Sequence, residues 1–205
     1  LNLLDPAPTL AIISGDLTDF GRPQEYAHLK NMLDGLRVPY YLMPGNHDAR
    51  EALVGGFPGH AYLQAMDGFV QYTVEDHAVR LVMLDTVVPM QSHGMLCERR
   101  LQWLRERLAE QPGRPTVIAM HPPPFKTGIA HMDAIGLLQG SEALESIVAA
   151  HPNVERIVCG HLHRTIFRRF GGTVASTCPS PAHQVALDLR PHRPSAFVMV
   201  PPRVF

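Results

Sequence analysis

The stretch Thr9–Asp16, TLAIISGD, is the part of the sequence that decides the fold. Its apolar, β-branched run before a glycine predicts a short buried strand, and an aspartate follows directly. Four further runs have the same form: YYLMPGNHD at 40–48, RLVMLD at 80–85, TVIAMH at 116–121 and RIVCGHLH at 156–163. Ligands of α/β sheets gather just beyond the carboxyl ends of the strands. We therefore expect polar side chains from separate strands to meet at one edge of a sheet.

At four of these five strand ends the chain supplies groups that bind metals. They are the carboxylate, amide and imidazole groups of Asp16, Asn46, His121, His161 and His163. Mixed oxygen and imidazole ligands suit Mn, Fe, Zn or Co. The pattern therefore predicts a transition-metal centre. Asp85 also follows a strand, but we interpret it as a loop-capping residue.

Length and composition limit the class of protein. A chain of 205 residues that is 45% hydrophobic is long enough for one sizeable core, so we expect a single domain over 1–205. With 18 Lys and Arg against 19 Asp and Glu, the net charge is -1, which argues against nucleic acid as an obligatory partner. No apolar stretch is long enough to span a bilayer. Three cysteines without a CxxC pair favour a reducing, cytoplasmic compartment.

Hydrophobic periodicity predicts alternating strands and helices. Buried strands are predicted at 9–14, 38–43, 116–120 and 156–159, and a hairpin pair at 69–74 and 79–84. Amphipathic helices are predicted at 24–36, 98–110 and 141–150, the last with Ser141 as its N-cap. Three glycines and Pro58 break any long helix between 50 and 64. Four short strand candidates between 165 and 200 make the second half of the chain rich in β-structure.

Four blocks of sequence occur in a recognisable order. They are GDLTDFG at 15–21, PGNHD at 44–48, HPPPFKTGIAHMD at 121–133 and GHLH at 160–163. Together they resemble the calcineurin-like metallophosphoesterase superfamily, and they look most like its bacterial class III cyclic-nucleotide and glycerophosphodiester phosphodiesterases. The resemblance covers most of the chain. It implies an α/β fold, a four-layer α/β/β/α sandwich of two mixed sheets flanked by helices.

The resemblance also implies two transition-metal ions in a shared site. Asp16 would bridge both ions, which lie about 3.5–4 Å apart in such sites. Asn46, His121 and His161 would complete the shell of one ion, and His163 would join Asp16 on the other. Considered alone, Asp16 has a second interpretation, as the N-cap of the helix that follows it.

Four further side chains have implied roles around the ions. His47 would contact the phosphoryl group or the leaving oxygen, as a hydrogen-bond donor or general acid. Asp48 and Asp19 would orient neighbouring groups, and a helix cap is an equally good interpretation of Asp19. His131 either touches the substrate phosphate or is a histidine of a surface loop. The other histidines interpreted as surface or capping residues are His28, His60, His77, His151, His183 and His192.

One motif of the family is absent from this sequence. The family's first motif, Asp-x-His, supplies an Asp and a His to one ion, and residues 1–14 contain no such pair. We therefore expect the second ion site to be impaired in this chain. We also expect the chain to be an internal fragment of a longer enzyme, without the first strand and the C-terminal end of the fold.

The implied activity is metal-dependent hydrolysis of a small phosphodiester by hydroxide held on the metals. The substrate would be a cyclic nucleotide such as cAMP, or a glycerophosphodiester. The alternatives are a phosphomonoesterase or nuclease of the same superfamily, and a metal-binding scaffold without activity. We expect no membrane partner, and the sequence does not distinguish a monomer from a homo-oligomer. A Ser-His-Asp hydrolase is disfavoured because the sequence has no G-x-S-x-G elbow.

Overall fold

The computed structural model describes residues 1–201 of the chain. The strands of this part are β1 (Ala11–Ser14), β2 (Tyr40–Met43), β3 (Tyr72–Val74), β4 (Arg80–Leu84), β5 (Gly94–Met95), β6 (Thr116–Met120), β7 (Leu137–Gln139), β8 (Val154–Cys159), β9 (Ile166–Phe170), β10 (Thr173–Thr177), β11 (His183–Val185) and β12 (Phe197–Met199). The helices are α1 (Pro23–Leu33), α2 (Arg50–Gly56), α3 (Glu98–Glu110), α4 (Ala130–Asp133) and α5 (Ser141–Ala149), with a 3-10 turn at Ala61–Gln64.

A mixed six-stranded sheet forms the centre of the molecule. Its strand order is β3-β4-β6-β8-β10-β9, in which β4, β6, β8 and β10 are parallel to one another and the edge strands β3 and β9 are antiparallel to them. A separate parallel pair, β1 and β2, faces it. Two smaller pairs, β5 with β7 and β11 with β12, lie outside these sheets. Mixed sheets flanked by helices confirm the predicted fold class.

Register aligns the strand ends that carry the polar residues. Leu84, Met120 and Cys159 are partners across β4, β6 and β8, so the residues that follow these strands leave the same edge of the sheet. In the smaller sheet Ser14 pairs with Met43 in the same way. The carboxyl ends of five strands are thereby gathered at one side of the molecule, as the sequence pattern predicts.

One continuous hydrophobic core joins the two sheets and their helices. Leu42 and Met43 of β2 are fully buried and belong to the same apolar cluster as β4, whose five residues are all buried. On α3, Leu104 and Leu108 are fully buried, and each contributes roughly 2 kcal/mol through removal of apolar surface from water. The helix α3 contacts α5, and α1 contacts α2. No helix within residues 1–201 combines the length and apolar character needed to cross a bilayer.

Most predicted elements are present with small shifts of their ends, and five short elements are additional: α2, α4, β5, β7 and the 3-10 turn at Ala61–Gln64. The prediction of Ser141 as an N-cap was wrong: Gly140, with φ of 93°, is the N-cap, and Ser141 is the first helical residue. A Cβ at position 140 would lie 2.5 Å from the Leu96 carbonyl oxygen, so this tight approach of β7 and the start of α3 needs a glycine. Strands β5 and β7 and the short α4 were not predicted, because two to four residues carry too little periodicity.

Candidate metal centre

Asp16 occupies a strained turn at the carboxyl end of β1. Gly15 has φ of 92° and Asp16 itself has φ of 50°, so the chain reverses sharply after the strand. The loop after β2 passes very close to this turn: a Cβ on Gly45 would lie 2.3 Å from both the backbone nitrogen and Oδ1 of Asp16. Glycine at position 45 is therefore required for the two loops to approach, and it lets the next residue reach the site.

His121 connects the two sheets at this edge. Its Nδ1 lies 2.7 Å from the Ser14 carbonyl oxygen, which can only accept, so Nδ1 carries the proton and Nε2 is left for another partner. That Nε2 lies 3.1 Å from Oδ2 of Asp16 and 3.2 Å from Oδ1 of Asn46. A carboxylate, an amide oxygen and an imidazole nitrogen thus face one another at close range.

His161 completes the group from the end of β8. Its Nδ1 lies 3.3 Å from Nε2 of His121, while its own Nε2 is buried and without a hydrogen-bond partner. Ligand atoms of Asp16, His121 and His161 all lie within 4.8 Å of one another. Neutral imidazole nitrogens and oxygens present electron pairs to a shared space, which is unfavourable unless a cation or proton lies between them. The donor set therefore fits a transition-metal ion.

The electrostatics of the group depend on burial and on the pairing of Asp16 with His121. Burial opposes ionisation of Asp16, but the nearby His121 ring and the His47 backbone N–H outweigh it and hold the pKa of Asp16 well below its usual value. Burial lowers the pKa of His121, and the negative charge of Asp16 more than compensates, so the pKa is raised. For His161, burial and then the charge of His121 lower the pKa to about 3. At neutral pH His161 is a neutral imidazole, the form that binds metals.

His163 lies beside this group but is not among its mutually close members. Its backbone also has positive φ, 53°, and its Nδ1 is buried without a partner. The ring packs edge-on against His183, with 4.5 Å between centroids. Burial and then His183 lower the pKa of His163. The interpretation of His183 as a surface or capping residue did not include this contact: the residue is half-buried, and no local signal in its Pro-rich segment could have placed it against His163.

His47 lies on the open side of the group. Its backbone N–H donates to Oδ1 of Asp16 at 3.1 Å, and its Nδ1 donates to the Asp19 carbonyl oxygen at 2.8 Å. The Asp19 carboxylate lies 3.6 Å from the same Nδ1, which agrees with an orienting role for Asp19. The side chain of His47 is 47% exposed, so its ring is open to a ligand from solvent. This arrangement leaves Nε2 of His47 available to a substrate.

Asp48 is a buried link between the two loops that carry Asp16 and Asn46. Its carboxylate accepts from the backbone N–H groups of Gly45 at 2.8 Å and Leu17 at 3.0 Å, and from the Tyr26 hydroxyl at 2.9 Å. Burial raises the pKa of Asp48 although these hydrogen bonds oppose the shift. An orienting role for Asp48 was predicted from the sequence, but the role of Tyr26 was not. The Tyr26 hydroxyl reaches Asp48 only because α1 packs against the loop.

Two other candidate residues lie away from the close group. His131 is in α4, and its buried Nε2 has no hydrogen-bond partner. Its neighbour Asp133 accepts from the Thr127 and Gly128 backbone N–H groups and so holds the loop before α4. Asp85 accepts from the Val87 backbone N–H at 2.8 Å, which confirms its loop-capping role.

Comparison with protein families and with other proteins agrees with this geometry. The family model of the calcineurin-like phosphoesterases matches residues 2–165. The chain is 38% identical over 204 residues to a probable glycerophosphodiester phosphodiesterase of Arcobacter nitrofigilis, which covers 100% of this chain and 74% of that protein. It is 38% identical over 192 residues to a probable cyclic nucleotide phosphodiesterase of Rhodopseudomonas palustris, with 92% and 69% of the two chains covered.

More distant proteins share the fold. The chain is 28% identical over 183 residues to the 3',5'-cyclic adenosine monophosphate phosphodiesterase of Escherichia coli K12, which covers 89% of this chain and 63% of that protein. The crystal structure of a dimetal phosphatase from Danio rerio superposes with a TM-score of 0.65 over 83% of this chain and 72% of that one, at 18% identity. The fold is therefore one that is also found in a phosphatase with two metals.

Proposed function

Because this chain belongs to the calcineurin-like phosphoesterase family, we propose that it is a metal-dependent phosphodiesterase that hydrolyses a glycerophosphodiester or a cyclic nucleotide. The observation that carries the proposal is the meeting of Asp16, Asn46, His121 and His161 at one edge of the sheets. These residues leave the ends of four different strands, so their convergence is a property of the whole fold. The names of the relatives support the two substrate classes.

We propose that the first ion is held by Asp16, Asn46, His121 and His161. The second would be held by Asp16 and His163, whose buried Nδ1 has no hydrogen-bond partner. When bound, such ions stabilise the negative charge of a phosphoryl group and lower the pKa of water. The mixed oxygen and nitrogen donors accept Mn, Fe, Zn or Co.

The protein's own groups would prepare the site in three ways. The Ser14 carbonyl oxygen fixes the tautomer of His121 and thereby directs Nε2 towards Asp16. Asp48 holds the two loops together, so that Asn46 and Asp16 keep their separation. His47, held through Nδ1 by Asp19, would present Nε2 to the phosphoryl group and donate a hydrogen bond or a proton to the leaving oxygen.

A comparison of substrates tests the proposal. Purified protein is loaded in turn with Mn, Zn and Co, and the rates on a glycerophosphodiester, on cAMP and on a simple phosphomonoester are measured. We expect kcat/KM for one of the two diesters to exceed that for the monoester. The glycerophosphodiester would give a phosphomonoester and an alcohol, and cAMP would give a single nucleoside monophosphate. A faster rate on the monoester would favour a phosphomonoesterase, and metal binding without turnover of any substrate would favour a scaffold.

Location and assembly are further proposals. We propose a cytoplasmic protein because the sequence contains three cysteines without a CxxC pair, a usage that suits a reducing compartment. The oligomeric state can be measured by light scattering on the same protein.

A further inference from the structure

Asp85 is the most deeply buried carboxylate next to the sheet edge where the candidate metal centre lies. Its side chain is 0% exposed, and its oxygens accept the backbone N–H groups of Val70 at 2.9 Å and Val87 at 2.8 Å. Arg100, also buried, donates to the Asp85 backbone oxygen at 2.9 Å. Asp85 is therefore held in place from several sides by the six-stranded sheet and α3. A carboxylate fixed in this way is a rigid anchor.

Arg50 reaches this anchor from the helix that follows β2 of the smaller sheet. It is the first residue of α2, directly after the loop that carries Asn46, His47 and Asp48. Its Nε lies 2.6 Å from one Asp85 oxygen and its Nη2 lies 2.9 Å from the other. The same Nη2 donates to the Val87 carbonyl oxygen at 2.7 Å. The guanidinium also lies over the Phe69 ring, 5.2 Å from its centroid.

We propose that Arg50 and Asp85 form a positioning clamp that fixes the loop of Asn46 and His47 against the edge of the six-stranded sheet. The inference rests on the proposed function, because the loop matters only if Asn46 binds metal and His47 meets substrate. Neither Arg50 nor Asp85 belongs to the close ligand group, so the clamp acts through the loop.

The geometry requires an arginine. A guanidinium binds both carboxylate oxygens with two parallel N–H groups, which fixes direction as well as distance. A lysine ammonium is a point charge on a flexible stem and cannot reproduce the fork. Burying such a pair costs desolvation that its attraction only partly offsets, so a contribution to stability alone is a weak explanation for it. A role in positioning the loop explains why Arg50 lies only four residues after Asn46.

The sheet offers a matched control at its opposite edge. Arg80, at the start of β4, is 1% exposed and binds the carboxylates of Glu75 at 2.8 Å and Glu110 at 3.2 Å. It also donates to the Arg107 carbonyl oxygen. Arg50→Lys and Arg80→Lys each remove a guanidinium from its carboxylate partners, at opposite ends of β4. Arg80 binds two separate, partly exposed carboxylates, whereas Arg50 binds both oxygens of one buried carboxylate. Only the first removal lies next to the loop.

The test compares these two variants with the wild type in two measurements. In metal-free protein, hydrogen–deuterium exchange of the peptide containing residues 45–49 should be at least about tenfold faster in Arg50→Lys and unchanged in Arg80→Lys. In metal-loaded protein, kcat of Arg50→Lys should fall about tenfold with KM little changed, and Arg80→Lys should keep wild-type kcat at saturating metal. We expect kcat to change more than KM because a displaced loop misplaces His47 in the transition state.

Exchange at 45–49 equal in Arg50→Lys and wild type would overturn the clamp, whatever the activity. Equal losses of kcat in both variants would also overturn it, because that result indicates general destabilisation. If Arg50→Lys does not fold, Arg50→Gln, which keeps one N–H donor, takes its place with the same criteria. A wild-type protein without phosphodiesterase activity would refute the proposed function, while the exchange experiment would still decide the clamp.

Discussion

The two edges of the six-stranded sheet are built on opposite electrostatic principles. At the amino edge, Arg80 and Arg114 bind the carboxylate of Glu75 at 2.8 Å each, so opposite charges are paired. At the carboxyl edge, beside the paired Arg50 and Asp85, His121 and His161 face each other and the carboxylate of Asp16. The first arrangement is complete within the protein. The ligand group of the second is favourable only with a cation or a proton between its atoms, which is why we assign stability to the first edge and chemistry to the second.

Backbone strain follows the same division. Asp16, His161 and His163 all have φ between 50° and 67°, a region that costs non-glycine residues about 1–3 kcal/mol each. Among the residues that the structure describes, no non-glycine residue with positive φ lies in 72–84 or 107–120, where the amino edge is formed. Of the five non-glycine residues with positive φ among residues 1–201, three thus lie where the proposed ligands point at a common centre, and Met90 and His192 lie in other turns. The comparison teaches that the carboxyl edge carries backbone strain of a kind that the amino edge lacks.

The largest effect is expected when a side chain fills the space between the two loops of the carboxyl edge that carry Asp16 and Asn46. In Gly45→Ala the added Cβ must displace Asp16, since it would lie 2.3 Å from that residue's Oδ1. We expect metal affinity to fall by more than about 100-fold and turnover to fall to background. Metal titration by calorimetry and steady-state kinetics measure both. Gly59→Ala, where the Cβ would meet nothing within 4 Å, should behave as wild type.

A second change separates metal binding from chemistry within the carboxyl edge. His47→Ala keeps the backbone N–H that donates to Asp16 and removes only the exposed ring. We expect kcat to fall about 100-fold with metal content unchanged. Elemental analysis beside kinetics checks this. His161→Ala should instead lose metal, and equal metal loss in the two variants would refute the separation.

A third change tests the amino edge. Arg80→Ala leaves the carboxylates of Glu75 and Glu110 without this partner, and both are partly exposed, so water compensates in part. We expect the free energy of unfolding to fall by about 2 kcal/mol and kcat to stay at the wild-type value. Urea unfolding followed by circular dichroism measures the first quantity. A fall in kcat in fully folded protein would show that the two edges are coupled.

The smallest expected effect is the release of a proton when metal binds. The pKa of His121 is raised and that of His161 is lowered to about 3, so near pH 6 metal-free protein holds a proton on His121 and none on His161. Metal binding must displace the His121 proton, so we expect release of about one proton near pH 6 and weaker affinity as pH falls. Calorimetry in buffers of different ionisation enthalpy counts the protons. Release of two would show that His161 is also protonated.

The convergence of the proposed ligand residues could be predicted because their signals are local. Asp16, Asn46 and His121 each follow an apolar strand and a turn, and such strands end at a shared edge. The loop-capping role of Asp85 could be predicted for the same reason, and its hydrogen bonds confirm it. Two supporting residues could not be predicted. Tyr26 and Arg50 reach the site only through the packing of α1 and α2, which no periodicity encodes.

The sequence by itself determined the strands, the turns after them and the chemical type of each strand end, because β-branched runs and glycine turns act over a few residues. Only the tertiary structure decided that His183 packs against His163 and that Arg50 meets Asp85. Those contacts depend on how two sheets are stacked and on the order β4-β6-β8 within one of them. That order is set by burial of a shared core between distant segments, which no local sequence pattern specifies.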